Sequence, residues 1–130
     1  MKNFEMSEFA CRCCGRLPPL AKKNMEALVT EVLQPACRKL GREVSVNSGY
    51  RCPLHNAAVG GVPDSLHLSG EAVDLQAEGG TEALARVIES LGRYDQLIRY
   101  LGPDGGTRFV HLSWKRTGGN RKQKLEKHIQ

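Results

Sequence analysis

Apolar residues in the stretch 20–40 recur at steps of three and four: Met25, Leu28, Val29, Val32, Ala36 and Leu40. That spacing places them on one stripe of a helix, and Gly41 is a natural stop. Pro35 lies inside the run. Lacking an N–H and crowding the preceding turn, it is expected to kink or divide the helix. An alternation of period two then takes over at residues 43–48, predicting a short strand that ends at Gly49. A second strand is expected at 72–75, after a glycine- and turn-rich segment from Val59 to Gly70. Thr81 is expected to cap another helix, with Leu84, Val87, Ile88 and Leu91 on one face and Gly92 at its close. Two further strands, 96–100 and 108–114, flank Gly102-Pro103-Asp104-Gly105-Gly106, which has the composition of a hairpin turn. There are too few repeated crossovers for a doubly wound sheet. The order of elements predicts an α+β fold, a small antiparallel sheet with helices packed on it.

A chain of 130 residues has the length of one domain, so a single domain over 1–130 is expected, with a basic C-terminal tail at about 115–130. With 40% hydrophobic and 25% charged residues, the composition is that of a soluble globular protein rather than a disordered or fibrous one. No apolar run approaches the ~18 residues of a membrane span, so no membrane partner is expected. The opening residues lack the apolar stretch of a secretory signal, which predicts synthesis in the cytoplasm.

The net charge of +5 is concentrated at one end. Residues 115–130 hold six basic side chains (Lys115, Arg116, Arg121, Lys122, Lys124, Lys127) against Glu126, and the rest of the chain holds thirteen of each sign. A neutral body with a basic tail is not the pattern of a domain that reads nucleic acid along a structured face. The tail is expected to be a solvated terminus or crossover segment, or else to contact an anionic partner such as a cell-wall polymer. Five cysteines, Cys11, Cys13, Cys14, Cys37 and Cys52, are an odd number that disfavours a complete disulfide framework. Cys11-Arg12-Cys13-Cys14 lacks the second ligand pair of a usual structural zinc site. Small buried hydrophobes or a local turn are weighed there against a metal or redox role.

The chemistry concentrates in three places. In Ser65-Leu66-His67-Leu68-Ser69-Gly70-Glu71-Ala72-Val73-Asp74, a turn at Gly70 followed by a strand brings an imidazole and a carboxylate toward one point. In Phe109-Val110-His111-Leu112-Ser113-Trp114, alternation turns His111 away from the strongly apolar side. Two histidines and a carboxylate form the ligand set of an open catalytic zinc site. His55 is expected to start a short helix or turn, and His128 to lie in the tail with no strand to fix its direction. The third place is Asn47-Ser48-Gly49-Tyr50-Arg51-Cys52, where an arginine emerges from a glycine turn at a strand end.

Ser48-Gly49-Tyr50-Arg51, then Asn56 and Val59-Gly60-Gly61, then Ser65-x-His67-x-x-Gly70-x-Ala72-x-Asp74, and finally Tyr94-Asp95-Gln96-Leu97-Ile98 leading to Val110-His111-Leu112-Ser113, resemble the zinc D-alanyl-D-alanine carboxypeptidase family. That family includes vancomycin-resistance D,D-dipeptidases and phage L-alanyl-D-glutamate endopeptidases. Phe4-Glu5-Met6-Ser7-Glu8-Phe9-Ala10-Cys11 and Val32-Leu33-Gln34-Pro35 resemble its compact single-domain branch. The resemblance implies a hedgehog/DD-peptidase-like fold and one Zn2+ per chain on His67, Asp74 and His111. It implies that Arg51 is the catalytic group facing the substrate's carbonyl or carboxylate, and that Ser65 and Tyr50 bind substrate. The implied substrates are peptidoglycan stem peptides, cut by a monomer that reaches the wall after lysis or holin-mediated release.

The chain departs from the resemblance in one respect. Many relatives place a glutamate as general base shortly before the last histidine or at the end of the segment that begins Asp95-Gln96-Leu97-Ile98. Arg99, Tyr100 and Arg108 stand at those positions here. Asp104 reaches the metal only if its turn folds over, Glu71 only through a bulge, and Tyr100 is a poor base near neutral pH. The base is unassigned, so two expectations stand together: a zinc peptidase, or a catalytically impaired zinc module that binds cell-wall peptides.

Overall fold

The computed structural model describes residues 4–129. Helix α1 (Pro19–Leu28) opens with proline in its first turn, where a missing N–H costs nothing. It runs through one wide π-helical turn (Val29–Leu33) into α2 (Gln34–Leu40). Pro35 is the reason for the wide turn: the looser winding absorbs the ring that would otherwise clash with the turn before it. The expected helix is therefore divided in its winding but not broken, and it stops at Gly41.

Strand β1 (Val44–Ser48) leads through a turn to the short α3 (Pro53–Ala58), which contains His55. A 3-10 turn (Leu66–Ser69) precedes β2 (Ala72–Ala77). Next come α4 (Thr81–Leu91), β3 (Gln96–Leu101) and β4 (Thr107–Ser113), the last two joined by the expected hairpin. Thr81 does not cap α4. Gly80 occupies the cap position, and the Thr81 hydroxyl instead accepts the Ala77 N–H at 3.2 Å, joining the helix start to the end of β2.

The sheet order is β1-β2-β4-β3-β5, and the first four strands pair antiparallel as expected. The fifth strand corrects the reading of the tail. Gln123–His128 forms β5, which pairs parallel to β3 along one edge of the sheet. His128 is therefore directed by a strand after all, opposite Leu101. The crossover is pinned by Asp95, fully buried, which accepts from Arg121 at its backbone N (2.9 Å), Nε (3.1 Å) and Nη2 (2.8 Å).

Alternation sorts the two faces of the sheet. Val73 and Leu75 of β2, Leu97 of β3, and Val110 and Leu112 of β4 are buried in one core with Met25, Leu28 and Leu33 of the divided helix and Leu84 and Ile88 of α4. Burying those side chains is the main term favouring this arrangement, at about 1.5–3 kcal/mol for each large one. The positions between them, Asp74, Ile98, Tyr100, Phe109 and His111, face the other way and line a cleft. No helix of the described residues is long and apolar enough to cross a membrane.

Candidate metal centre

Register builds this site. Asp74 on β2 is paired directly with His111 on β4, and His111 with Ile98 on β3. The third member, His67, lies in the 3-10 turn just before β2. Ser65 caps that turn, its Oγ accepting the His67 N–H at 3.2 Å. Gly70 closes the turn at φ +74°, and a Cβ there would stand 2.3 Å from the Ala21 carbonyl oxygen of α1. Any L side chain at this position is therefore doubly opposed. His67, Asp74 and His111 offer ligand atoms that all lie within 4.8 Å of one another. His111 Nδ1 is 3.0 Å from Asp74 Oδ1, and His67 Nε2 is 3.3 Å from the same oxygen.

The hydrogen bonds of His67 test whether a cation fits. Its Nδ1 lies 2.7 Å from the Gly49 carbonyl oxygen, which can only accept, so Nδ1 carries the hydrogen. In the neutral ring Nε2 then bears a lone pair. Although buried, that atom has no hydrogen-bond partner, and it faces a carboxylate oxygen. Two electron-rich atoms face to face in a buried site are unfavourable without a cation between them. Zinc bound at ~2.0–2.1 Å in tetrahedral geometry separates its ligands by about 3.3 Å, so the spacing suits the ion. Burial alone would raise the Asp74 pKa. The hydrogen bond to His111 and the nearby His67 ring outweigh it and hold the carboxyl well below the usual carboxylate range.

Arg51 completes one wall of the site. Its Nη2 donates to Asp74 Oδ2 at 3.1 Å, Nε to Ser48 Oγ at 3.1 Å and Nη1 to Asn56 Oδ1 at 3.3 Å. Asn56 is held in turn by its Nδ2 donating to the Val62 carbonyl at 2.9 Å. Gly61 leaves room for it, since a Cβ there would fall 2.1 Å from Asn56 Oδ1. With Arg51 rigidly held and three ligand atoms converging, the arrangement is suited to binding a divalent cation next to a fixed positive charge.

The cleft has a volume of about 480 Å³ and includes Arg51, Ser65, His67, Asp74, Tyr100 and His111 in its lining. Arg121 and Lys127 also line it, so the basic tail forms part of the cleft wall. The structure does not bring Tyr50 to the cleft. That side chain is buried with Cys11 and Ala21 in a small apolar cluster of its own.

The possible bases separate clearly. Asp104 stays in the hairpin, bound to Arg108 Nη2 at 2.9 Å and to the Gly106 N–H at 3.0 Å. Glu71 accepts from Ser69 Oγ and does not line the cleft. Arg99 turns to the helix side, pairing with Glu82 and Glu89. Tyr100 does face the cleft, its ring stacked on Phe109 at 4.3 Å. Burial and the Asp74 charge push its hydroxyl above the ordinary value, which makes it a donor and not a base near neutral pH. Asp64 is the other carboxylate in the cleft lining besides Asp74. It lies between the Val59-Gly60-Gly61 and Ser65-x-His67 motifs but belongs to neither, so the sequence did not mark it.

Fold and site together define a zinc-peptidase-like protein, an α+β sheet with a His-Asp-His group on its open face. The sequence model of the Peptidase M15 family matches residues 2–113, and the chain belongs to that family of zinc metallopeptidases. The match ends with β4 and does not include β5. No curated protein sequence matches the chain significantly.

Proposed function

We propose that the chain is a zinc-dependent hydrolase of peptides containing D-amino acids, acting on the stem peptides of bacterial peptidoglycan as a single domain over residues 1–130. The supporting observation is the unpartnered Nε2 of His67, directed at Asp74 and His111 beside a tethered Arg51. His67 Nε2, Asp74 Oδ1 and His111 Nδ1 are the zinc ligands in this reading. A zinc ion held there supplies Lewis-acid polarisation of a carbonyl and a bound water acidified toward neutrality.

The chain's own residues do the rest. Gly49 fixes the tautomer of His67 through its carbonyl, as an acceptor behind a ligating imidazole normally does. Arg51, locked by Ser48, Asn56 and Asp74, presents its guanidinium where negative charge develops on the scissile carbonyl. Ser65 orients His67 and borders the substrate. Tyr100 offers a hydroxyl hydrogen bond from β3. Arg121 and Lys127 add positive charge to the cleft wall, which favours substrates with free carboxylates, and stem peptides have these. Asp64, exposed in the cleft lining, is the carboxylate this reading would test as the proton acceptor.

A second reading rests on a different observation. Tyr100 lines the cleft and stands at a sequence position where the resemblance would put a glutamate base, and a protonated phenol cannot replace it. A module that binds the same peptide without turning it over fits that substitution. Purified muropeptides incubated with the zinc-loaded protein separate the two. Release of D-alanine or of a new amine, abolished by a chelator and by His111→Ala, supports the enzyme. Tight, zinc-dependent peptide binding without any cleavage overturns it in favour of the module.

A further inference from the structure

The cysteines that look incomplete in sequence meet in space. Cys11, Cys13 and Cys14 belong to the loop before α1, and Cys52 caps α3 at the far end of the turn carrying Arg51. All four Sγ atoms lie within 4.8 Å of one another. Cys13 Sγ is 3.5 Å from both Cys11 Sγ and Cys52 Sγ. Tetrahedral zinc with Zn–S of ~2.3 Å separates its sulfurs by about 3.8 Å. The missing second pair of the sequence reading is thus supplied in part by a residue 38 positions downstream. Cys13 and Cys14 are exposed, so they are not the buried hydrophobes weighed there. The odd count also resolves, because Cys37 is buried apart from the four, in the main core.

We infer that Cys11, Cys13, Cys14 and Cys52 form a second metal centre, a closed four-thiolate site for zinc or a comparably soft divalent cation.

Backbone N–H groups donate to two of the four sulfurs and so favour their thiolate form. The Cys52 N–H donates to Cys11 Sγ at 3.4 Å. The His55 N–H donates to Cys52 Sγ at 3.4 Å. Four thiolates around a divalent cation leave a net charge of −2. Arg12 and Arg16 of the loop and Lys22 and Lys23 of α1 offset it in sequence, with no acidic residue between Glu8 and Glu26. None of the four cysteines lines the cleft, and four protein ligands leave no open position for substrate, so the site is structural.

Its place in the fold gives it a task. The Phe9 carbonyl accepts the Tyr50 N–H at 2.8 Å, and Arg12 Nη2 donates to the Val46 carbonyl at 2.8 Å. A metal joining residues 11–14 to Cys52 clamps the turn between those bonds. That turn contains Gly49, which holds His67, and Arg51, which holds Asp74.

Metal analysis with cobalt substitution under reducing conditions tests this. Two zinc ions per chain are expected in the wild type and one in His67→Ala/His111→Ala. Cobalt bound to that variant should give thiolate-to-metal charge-transfer absorption, which Cys13→Ser/Cys14→Ser lacks. If the cysteine variant fails to fold, the wild-type spectrum decides alone. Fully reduced, cobalt-saturated wild type with no charge-transfer band and four thiols reacting freely with a thiol reagent overturns the site, as does a disulfide among the four in freshly purified protein. Failure of the His-Asp-His assignment reads differently, as a metal content unchanged by His67→Ala/His111→Ala.

Discussion

The two ligand clusters are built on different parts of the chain. His67, Asp74 and His111 rest on a strand pair in register and the turn leading into it. They offer three donors and open onto the cleft. Cys11, Cys13, Cys14 and Cys52 rest on loops, offer four donors and do not line that cleft. A three-donor group on rigid strands keeps a position free for chemistry, whereas a four-donor group in loops has none and can only order what surrounds it. The turn Gly49-Tyr50-Arg51-Cys52 joins them, so a disturbance at the second site should reach the first through Arg51 and the Gly49 carbonyl.

The largest effect that would break this contrast comes from the proposed ligands themselves. Asp74→Ala or His111→Ala is expected to lower kcat/KM by about 10³-fold or more and to remove one zinc, leaving the thiolate metal in place. Steady-state kinetics with metal analysis checks it, and loss of both metals would mean the clusters are not separate. Arg51→Ala is expected to reduce kcat by about 10²–10³-fold with KM less affected, as for loss of a group that meets developing charge. Gly61→Ala pushes Asn56 off Arg51, and a fall of about 10–100-fold in activity is expected without loss of zinc.

Stability sharpens the contrast from the other side. Arg121→Ala strips two side-chain hydrogen bonds from the buried Asp95 and should lower the midpoint of denaturant unfolding, because Asp95 keeps only the backbone N–H of residue 121 as a partner there. Asp95 is held below its ordinary pKa by the Arg121 hydrogen bond, despite burial. An unfolded aspartate titrates near ~3.9, so this stabilisation is complete above that pH and disappears as pH falls through the lower folded value. The acid limb of the stability curve should be shallower in Arg121→Ala. The smallest effect is expected from Asp104→Ala, whose solvent-exposed ion pair with Arg108 is screened by water and should leave unfolding nearly unchanged. Unchanged turnover in that variant would remove Asp104 as a base.

Much of this was legible before folding. The spacing of Met25, Leu28 and Val32 announced the helix, and the alternation around His111 correctly turned it away from the core. The hairpin at Gly102 to Gly106 and the helix stops at Gly41 and Gly92 were equally plain. Thr81 was misread because a hydroxyl before an apolar run looks the same whether it caps its own helix or bonds the preceding strand. Tyr50 misled because a motif records adjacency to Arg51 but not the opposite directions in which neighbouring side chains point. The tail reads as a solvated terminus or crossover segment, with no strand, because Gln123–His128 is charged and mostly exposed. Such an edge strand is held by backbone pairing to β3 and by Arg121, neither of which leaves an apolar pattern.

The amino-acid order by itself determined the local elements and the donor types, because helical and strand periodicity arise from contacts only two to four residues apart. It also determined that two imidazoles and a carboxylate were available in the right succession. Only the tertiary structure decided which sulfur completes the cysteine group, that Lys127 and Arg121 line the cleft, and which nitrogen of His67 is left to bind. Those outcomes depend on strand register and on loops closed across tens of residues, and no short window of sequence contains both partners.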